Sequence, residues 1–254
     1  MTVYKQKFAS SKFKTLNLKH YCRYCSALVG HGNDFYDNLI KTEKSSKIDK
    51  LISNIYIYIF PPVLSWPDGV NLDIPVDIVI AIRKILEHFS PVATEYINEL
   101  CFAFNADSSS YGDKIIIIPV EYISNSNIKH HFIDMFAHET AHALAFAVFK
   151  DKFLVNDFKK LHKTIITASI YNKKIFFEPK NSTEKVSFYQ YEDYIEFFAE
   201  LASQVLIHYS ELITYISSIK YTISKQAYFD AVNFLLNFVD PIPNIQVKEL
   251  LINL

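Results

Sequence analysis

An HExxH pattern, His138-Glu139-Thr140-Ala141-His142, lies inside an apolar run that extends from Phe132 to Phe149. This feature restricts the fold most, because histidines four apart present the same side only if the segment is helical. On such a helix the two imidazoles stand one turn apart and can share one ion, with Glu139 turned toward a water bound to it. Neutral imidazoles bind a borderline-soft dication without cancelling its charge. That charge lowers the pKa of a bound water from about 15.7 toward about 7. Glu139 is then placed to accept the proton and pass it to a departing amine. The competing reading is a coincidental match, with two buried histidines bonded to backbone carbonyls.

The surroundings favour the metal. Ser124, Asn125 and Ser126 are candidate N-caps ahead of the run, and Lys150-Asp151-Lys152 closes it. Between them the helix is apolar almost all round, which predicts burial. Two histidines and a glutamate buried there cost several kcal/mol unless compensated, and a cation is the economical compensation.

A catalytic zinc needs a third protein ligand and an open fourth position. The segment Tyr191 to Ala202 predicts a second amphipathic helix, with Phe197, Leu201 and Val205 facing the core. Glu192, Glu196 and Glu200 then share one face, where three carboxylates repel each other unless a cation faces them. Glu196 is the candidate ligand and Glu192 its rival; an ordinary solvated acidic face is the plain alternative. Glu200, one turn beyond Glu196, is placed to accept the outer N–H of a metal-bound imidazole, with His138 the preferred recipient. Asp134, one turn before His138, is a second candidate for such a supporting role.

The segment Glu196-Phe197-Phe198-Ala199-Glu200, about fifty residues after the HExxH motif, resembles the third-ligand helix of the anthrax lethal factor catalytic domain and its relatives, the secreted Pro-Pro endopeptidases among them. The resemblance covers about Leu72 to Asp240 and is strongest at the two motifs. It implies a zinc metalloendopeptidase of the gluzincin type, with one Zn2+ held by His138, His142 and Glu196 and with Glu139 as general base. A tyrosine seven residues before the glutamate steadies the oxyanion in that family, and Tyr189 occupies the matching position. Two departures stand out: Ala141 replaces a glycine common before the second histidine, and no glycine follows Tyr189. Tyr191 and Tyr194 are alternatives to Tyr189, and in a chain with 17 tyrosines such neighbours are expected.

The expected architecture is α+β. It comprises a zincin-like domain over residues 71–254, with a small mixed sheet, a central HExxH helix and a helical C-terminal half, after an extension of unknown role over residues 1–70. Pro61-Pro62 and Trp66-Pro67-Asp68-Gly69 mark the boundary, and Leu51 to Pro62 predicts a core strand or helix. A helix is predicted over Pro75 to Phe89, with Val76, Ile80, Ile82 and Ile85 available for the core. Strands are predicted over Ile97 to Phe104 and Ile115 to Val120, joined by a hairpin loop from Asp107 to Asp113. Helices follow over Asp157 to Ile170, Asp193 to His208, Ser210 to Ile219 and Ser224 to Val239. In peptidases of the resembled type, the strand just before the zinc helix is a sheet edge to which substrate adds; Ile115 to Val120 is the candidate.

Composition fits this reading. With 26 basic and 27 acidic residues the chain has a formal net charge of -1, which gives no broad surface for nucleic acid or anionic membranes. Four glycines and no repeat leave no phosphate-cradling loop or solenoid. No segment reaches the roughly 18 apolar residues of a membrane span. Met1 to Leu16 lacks a continuous apolar core and a small-residue cleavage site, so a cytoplasmic location or export by a non-classical route is expected. Three cysteines are too few for a disulfide framework, and Cys101 lies in an apolar run. His20, Cys22, Cys25 and His31 offer four possible ligands whose spacing fits no common zinc module, so a reduced thiol pair is preferred to a second metal.

The expected partner is a polypeptide substrate, a host protein if the chain is a toxin or injected effector, cut by a monomer. A catalytically inactive zincin-like interaction protein with a structural metal, and an intracellular regulatory metallopeptidase, are the alternatives.

Overall fold

The computed structural model describes residues 40–41, 55–60, 74–103, 106, 109–124, 131–169, 193–244 and 246–247. These residues form a mixed α and β protein, mostly helical, with a small mixed sheet. Tyr189, Tyr191, Glu192, the His20, Cys22, Cys25, His31 cluster, Asn125, Ser126 and the Trp66–Gly69 turn lie outside the described residues.

The strands are β1 (Ile40–Lys41), β2 (Tyr56–Phe60), β3 (Glu99–Ala103), β4 (Ser110–Gly112) and β5 (Ile115–Pro119). The helices are α1 (Val76–Glu87), α2 (Pro91–Thr94), α3 (Glu121–Ser124), α4 (Phe132–Val148), α5 (Lys152–Ser169), α6 (Tyr194–Ile207), α7 (Tyr209–Ser218) and α8 (Thr222–Leu235). The chain divides into two compact units. One takes the described residues up to Lys84 and from Ile97 to Glu139; the other takes Ile85–Tyr96 and those from Thr140 onward.

The first unit contains the sheet, in the order β1-β2-β3-β5-β4. β2, β3 and β5 run parallel, and β1 and β4 lie antiparallel at the two edges. Every residue of β3 and β5 is buried, as expected of interior strands, with Glu99 the one charged residue among them. The expectation that Ile115 to Val120 is an edge is corrected: β5 is paired on both sides, and β4 is the edge. The loop expected from Asp107 to Asp113 is corrected in its second half; Asp107 and Ser108 lie outside the described residues, Ser110–Gly112 is strand, and the turn falls at Asp113 and Lys114. Both have positive φ (47° and 69°), the signature of a two-residue hairpin turn whose twist matches its strands. A turn this short forces β4 and β5 side by side, and β5 fills the slot between β4 and β3.

Residues 56–60 belong to the stretch read as an extension, yet they form β2 and pair in parallel with all of β3, from Tyr56 opposite Glu99 to Phe60 opposite Ala103. The sheet therefore draws on both sides of the boundary set at residue 70. Parallel pairing needs a long connection, which the intervening segment with α1 provides.

On α1 the buried positions are Ile78, Ala81, Ile82, Ile85 and Leu86, the i, i+3, i+4, i+7, i+8 set of one face. Val76 and Ile80, expected in the core, are exposed (66% and 55%), since they lie on the opposite side of that face. Cys101 is buried in β3, in keeping with its apolar run.

In the second unit, rings from several helices interlock. Phe158 of α5 is fully buried and stands 5.8 Å from Phe149, 5.8 Å from Phe197, 5.1 Å from Phe198 and 5.3 Å from Phe234. Phe158→Ala removes all four contacts and is expected to cost about 3–5 kcal/mol, read as a lowered urea midpoint. α5 starts at Lys152 rather than at Asp157, because Asp151 caps it: its Oδ1 accepts the Phe153 N–H at 2.8 Å. In sequence, Asp151 reads only as part of the stop that closes the preceding run. α8 ends at Leu235, short of the expected Val239, which instead bridges to Phe89.

Candidate metal centre

α4 is buried on nearly every side. Phe132, Ile133, Phe136, Ala137, Ala141, Ala143, Leu144 and Ala145 are all about fully enclosed. Its start is anchored by Phe132, whose ring stacks on Phe136 at 5.6 Å and lies 6.0 Å from Phe102 of β3. The apolar packing leaves little water for the polar members of the helix. Glu139 is wholly buried, His142 is 3% exposed, and His138 is half-buried.

α6 carries the third candidate. Asp193 caps this helix, its Oδ1 accepting the Ile195 N–H at 2.7 Å. Glu196 falls in the first turn, where the helix dipole favours a carboxylate. Phe197 and Phe198 are locked in the aromatic cluster. A glutamate at this place can also serve a capping box by reaching back to the cap residue's N–H. The Oε2 atom of Glu196 lies 3.5 Å from His142 Nε2, with Glu196 7% exposed.

His138, His142 and Glu196 form a group whose donor atoms all lie within 4.8 Å of one another, a group able to hold a metal ion. A tetrahedral zinc with bonds of about 2.0–2.1 Å sets its ligand atoms about 3.3 Å apart, close to the 3.5 Å between His142 and Glu196. Two imidazoles and one carboxylate are also the protein donors of known catalytic zinc sites. A carboxylate held this far from water is costly without a compensating cation, so burial and donor chemistry both fit a divalent ion.

The general-base candidate has a partner that the sequence reading missed. Ser109 Oγ donates to Glu139 Oε1 at 2.6 Å, and both residues are buried. The length is that of an O–H···O⁻ bond. The only signal in sequence was the Ser108-Ser109-Ser110 run ahead of a β-forming stretch, which reads equally well as a loop.

Glu200, half-buried, accepts a bond from Gln204 Nε2 at 2.9 Å through its Oε1. Among the tyrosine candidates only Tyr194 is described. Its ring packs 5.5 Å from Phe149, and the Lys159 ammonium sits 4.4 Å from its centroid, an environment of packing. Among the described residues no helix is long and apolar enough to cross a membrane. Comparison with protein-family models, with curated proteins and with solved structures finds no match.

Proposed function

We propose that this chain is a zinc-dependent endopeptidase of the lethal-factor-like gluzincin type. The observation that carries the reading is the convergence of His138 and His142 from α4 with Glu196 from α6. The sequence spacing of HExxH cannot produce that convergence by itself. A bound zinc would supply Lewis acidity toward a water and toward a carbonyl oxygen.

The chain's own residues carry the remaining roles. His138, His142 and Glu196 would hold the ion. Glu139 takes a proton from water and returns it to the leaving amine, the work of a positioned general base. Glu200 supports the His138 imidazole from behind, and Tyr189 donates to the developing oxyanion. β4, at the sheet edge, offers a polypeptide substrate a strand to pair with. The residue just before β4 bonds to Glu139, so a peptide lying along that edge passes close to the base. The substrate class is a polypeptide; in the toxin or effector setting it is a host protein.

Metal analysis of the purified chain, paired with cleavage of fluorescein-labelled casein with and without a chelator, tests this. One zinc per chain and chelator-sensitive cleavage are expected. Zinc without cleavage would favour a binding module with a structural metal, and absence of both would return the motif to coincidence. Zinc at about 1,000 times its Kd is further expected to stabilise the chain by about 4 kcal/mol, raising the melting temperature by about 8–16 °C. An unchanged melting temperature would remove the ion from the folded protein.

A further inference from the structure

We propose that Ser109 is a positioning residue that holds Glu139 in register with the sheet edge; this rests on the endopeptidase reading. Ser109 and Glu139 are thirty positions apart, and their bond is buried. A glutamate side chain has three rotatable torsions, and a general base displaced by about 1 Å can lose about 100-fold in rate. The Ser109 hydroxyl removes that freedom by engaging Oε1, which assigns Oε2 to the proton taken from water.

Ser109 is itself held by the ladder. Its neighbour Ser110 pairs with Ile117, and the Asp113-Lys114 turn sets that register. The base is thereby tied to the strand along which a peptide would add. Substrate backbone and base then share one rigid reference, so that docking and proton transfer are aligned by the same element. The hydroxyl touches the base and no reacting atom; its contribution falls on kcat and leaves KM nearly unmoved.

Two measurements test this. With the casein-derived peptide cleaved best, Ser109→Ala is expected to lower kcat about 10- to 100-fold, with KM within about threefold and zinc stoichiometry unchanged. Ser109→Thr, which keeps the hydroxyl, is expected to recover most of the rate. An undiminished kcat in Ser109→Ala, or no recovery by Thr, overturns the proposal.

The second measurement uses zinc-free protein and reads no activity. Ser109→Ala should lower the melting temperature by about 3–8 °C when Glu139 is present. In a Glu139→Met background, where the acceptor is gone, the same change should cost less than half as much. Equal shifts in the two backgrounds overturn the pairing. Should Ser109→Ala fail to fold, Ser109→Cys, with its weaker donor, takes its place in both measurements with smaller shifts of the same sign. If the parent neither binds zinc nor cleaves casein, the endopeptidase reading fails and the positioning role with it, while the melting cycle still decides whether Ser109 bonds to Glu139.

Discussion

Glu139→Gln is expected to retain one zinc per chain and to lose about 100- to 10,000-fold in peptide cleavage, the range attributed to a positioned general base. The substitution isolates the base from everything around it. Glutamine has nearly the shape of glutamate and keeps a carbonyl oxygen for the Ser109 hydroxyl, so the buried bond at 2.6 Å has a replacement acceptor. It removes the capacity to take a proton. The group able to hold the ion, His138, His142 and Glu196, is not altered. The measurement is kcat/KM per zinc-loaded chain, with metal content determined on the same sample. Undiminished proteolysis by this variant would sink the assignment of Glu139 as base, whereas joint loss of zinc and activity would make it a structural element of the metal site.

The second large effect is expected at Glu196. Glu196→Ala removes the candidate ligand that α6 supplies, and among the described residues of the group it leaves two imidazoles one turn apart on a single helix. Loss of an outer partner of a ligand already costs about 10- to 100-fold in metal affinity, so loss of the ligand itself should exceed that range. Cleavage should fall with occupancy, and excess zinc should restore it only in part. Titration with a competing chelator gives the affinity directly. Glu192→Ala is the matched control and should leave zinc binding intact; the opposite outcome would exchange the two roles. Because Glu196 is buried against His142, replacement by Ala leaves a small void beside the imidazole. A comparison of zinc-free melting temperatures therefore separates loss of ligation from loss of packing.

Much of the candidate site was legible because its parts are local. A helix at 132–148 follows from an apolar run without breakers, and HExxH spacing then sets both histidines on one side of it. The α6 helix was legible for the same reason: Phe197, Leu201 and Val205 recur at helical spacing, and all three are buried. Errors cluster where a local rule was blind to neighbours. Ile80 is apolar and was assigned to the core, but burial along α1 follows the face through Ile78, Ile82 and Ile85. The run Ile115 to Val120 was recognised as a strand and wrongly made an edge. An apolar run does not record how many partners a strand has, and the short turn that sets β4 beside β5 was read as part of a longer loop.

From residue order alone came the elements and the chemistry each can carry: a histidine pair and a base on one helix, a glutamate series on another, and apolar strands ahead of both. These depend on periods of 3.6 and 2 residues and on capping, which act over a few positions. The approach of Glu196 to His142, the bond from Ser109 to Glu139 and the interior place of β5 arise only in the folded chain. Each joins residues far apart in sequence. What brings them together is packing: the aromatic cluster that locks Phe197 and Phe198 beside Glu196, and the strand ladder that sets Ser109. Contacts of that kind are set by summed burial across several elements, and no local spacing encodes them.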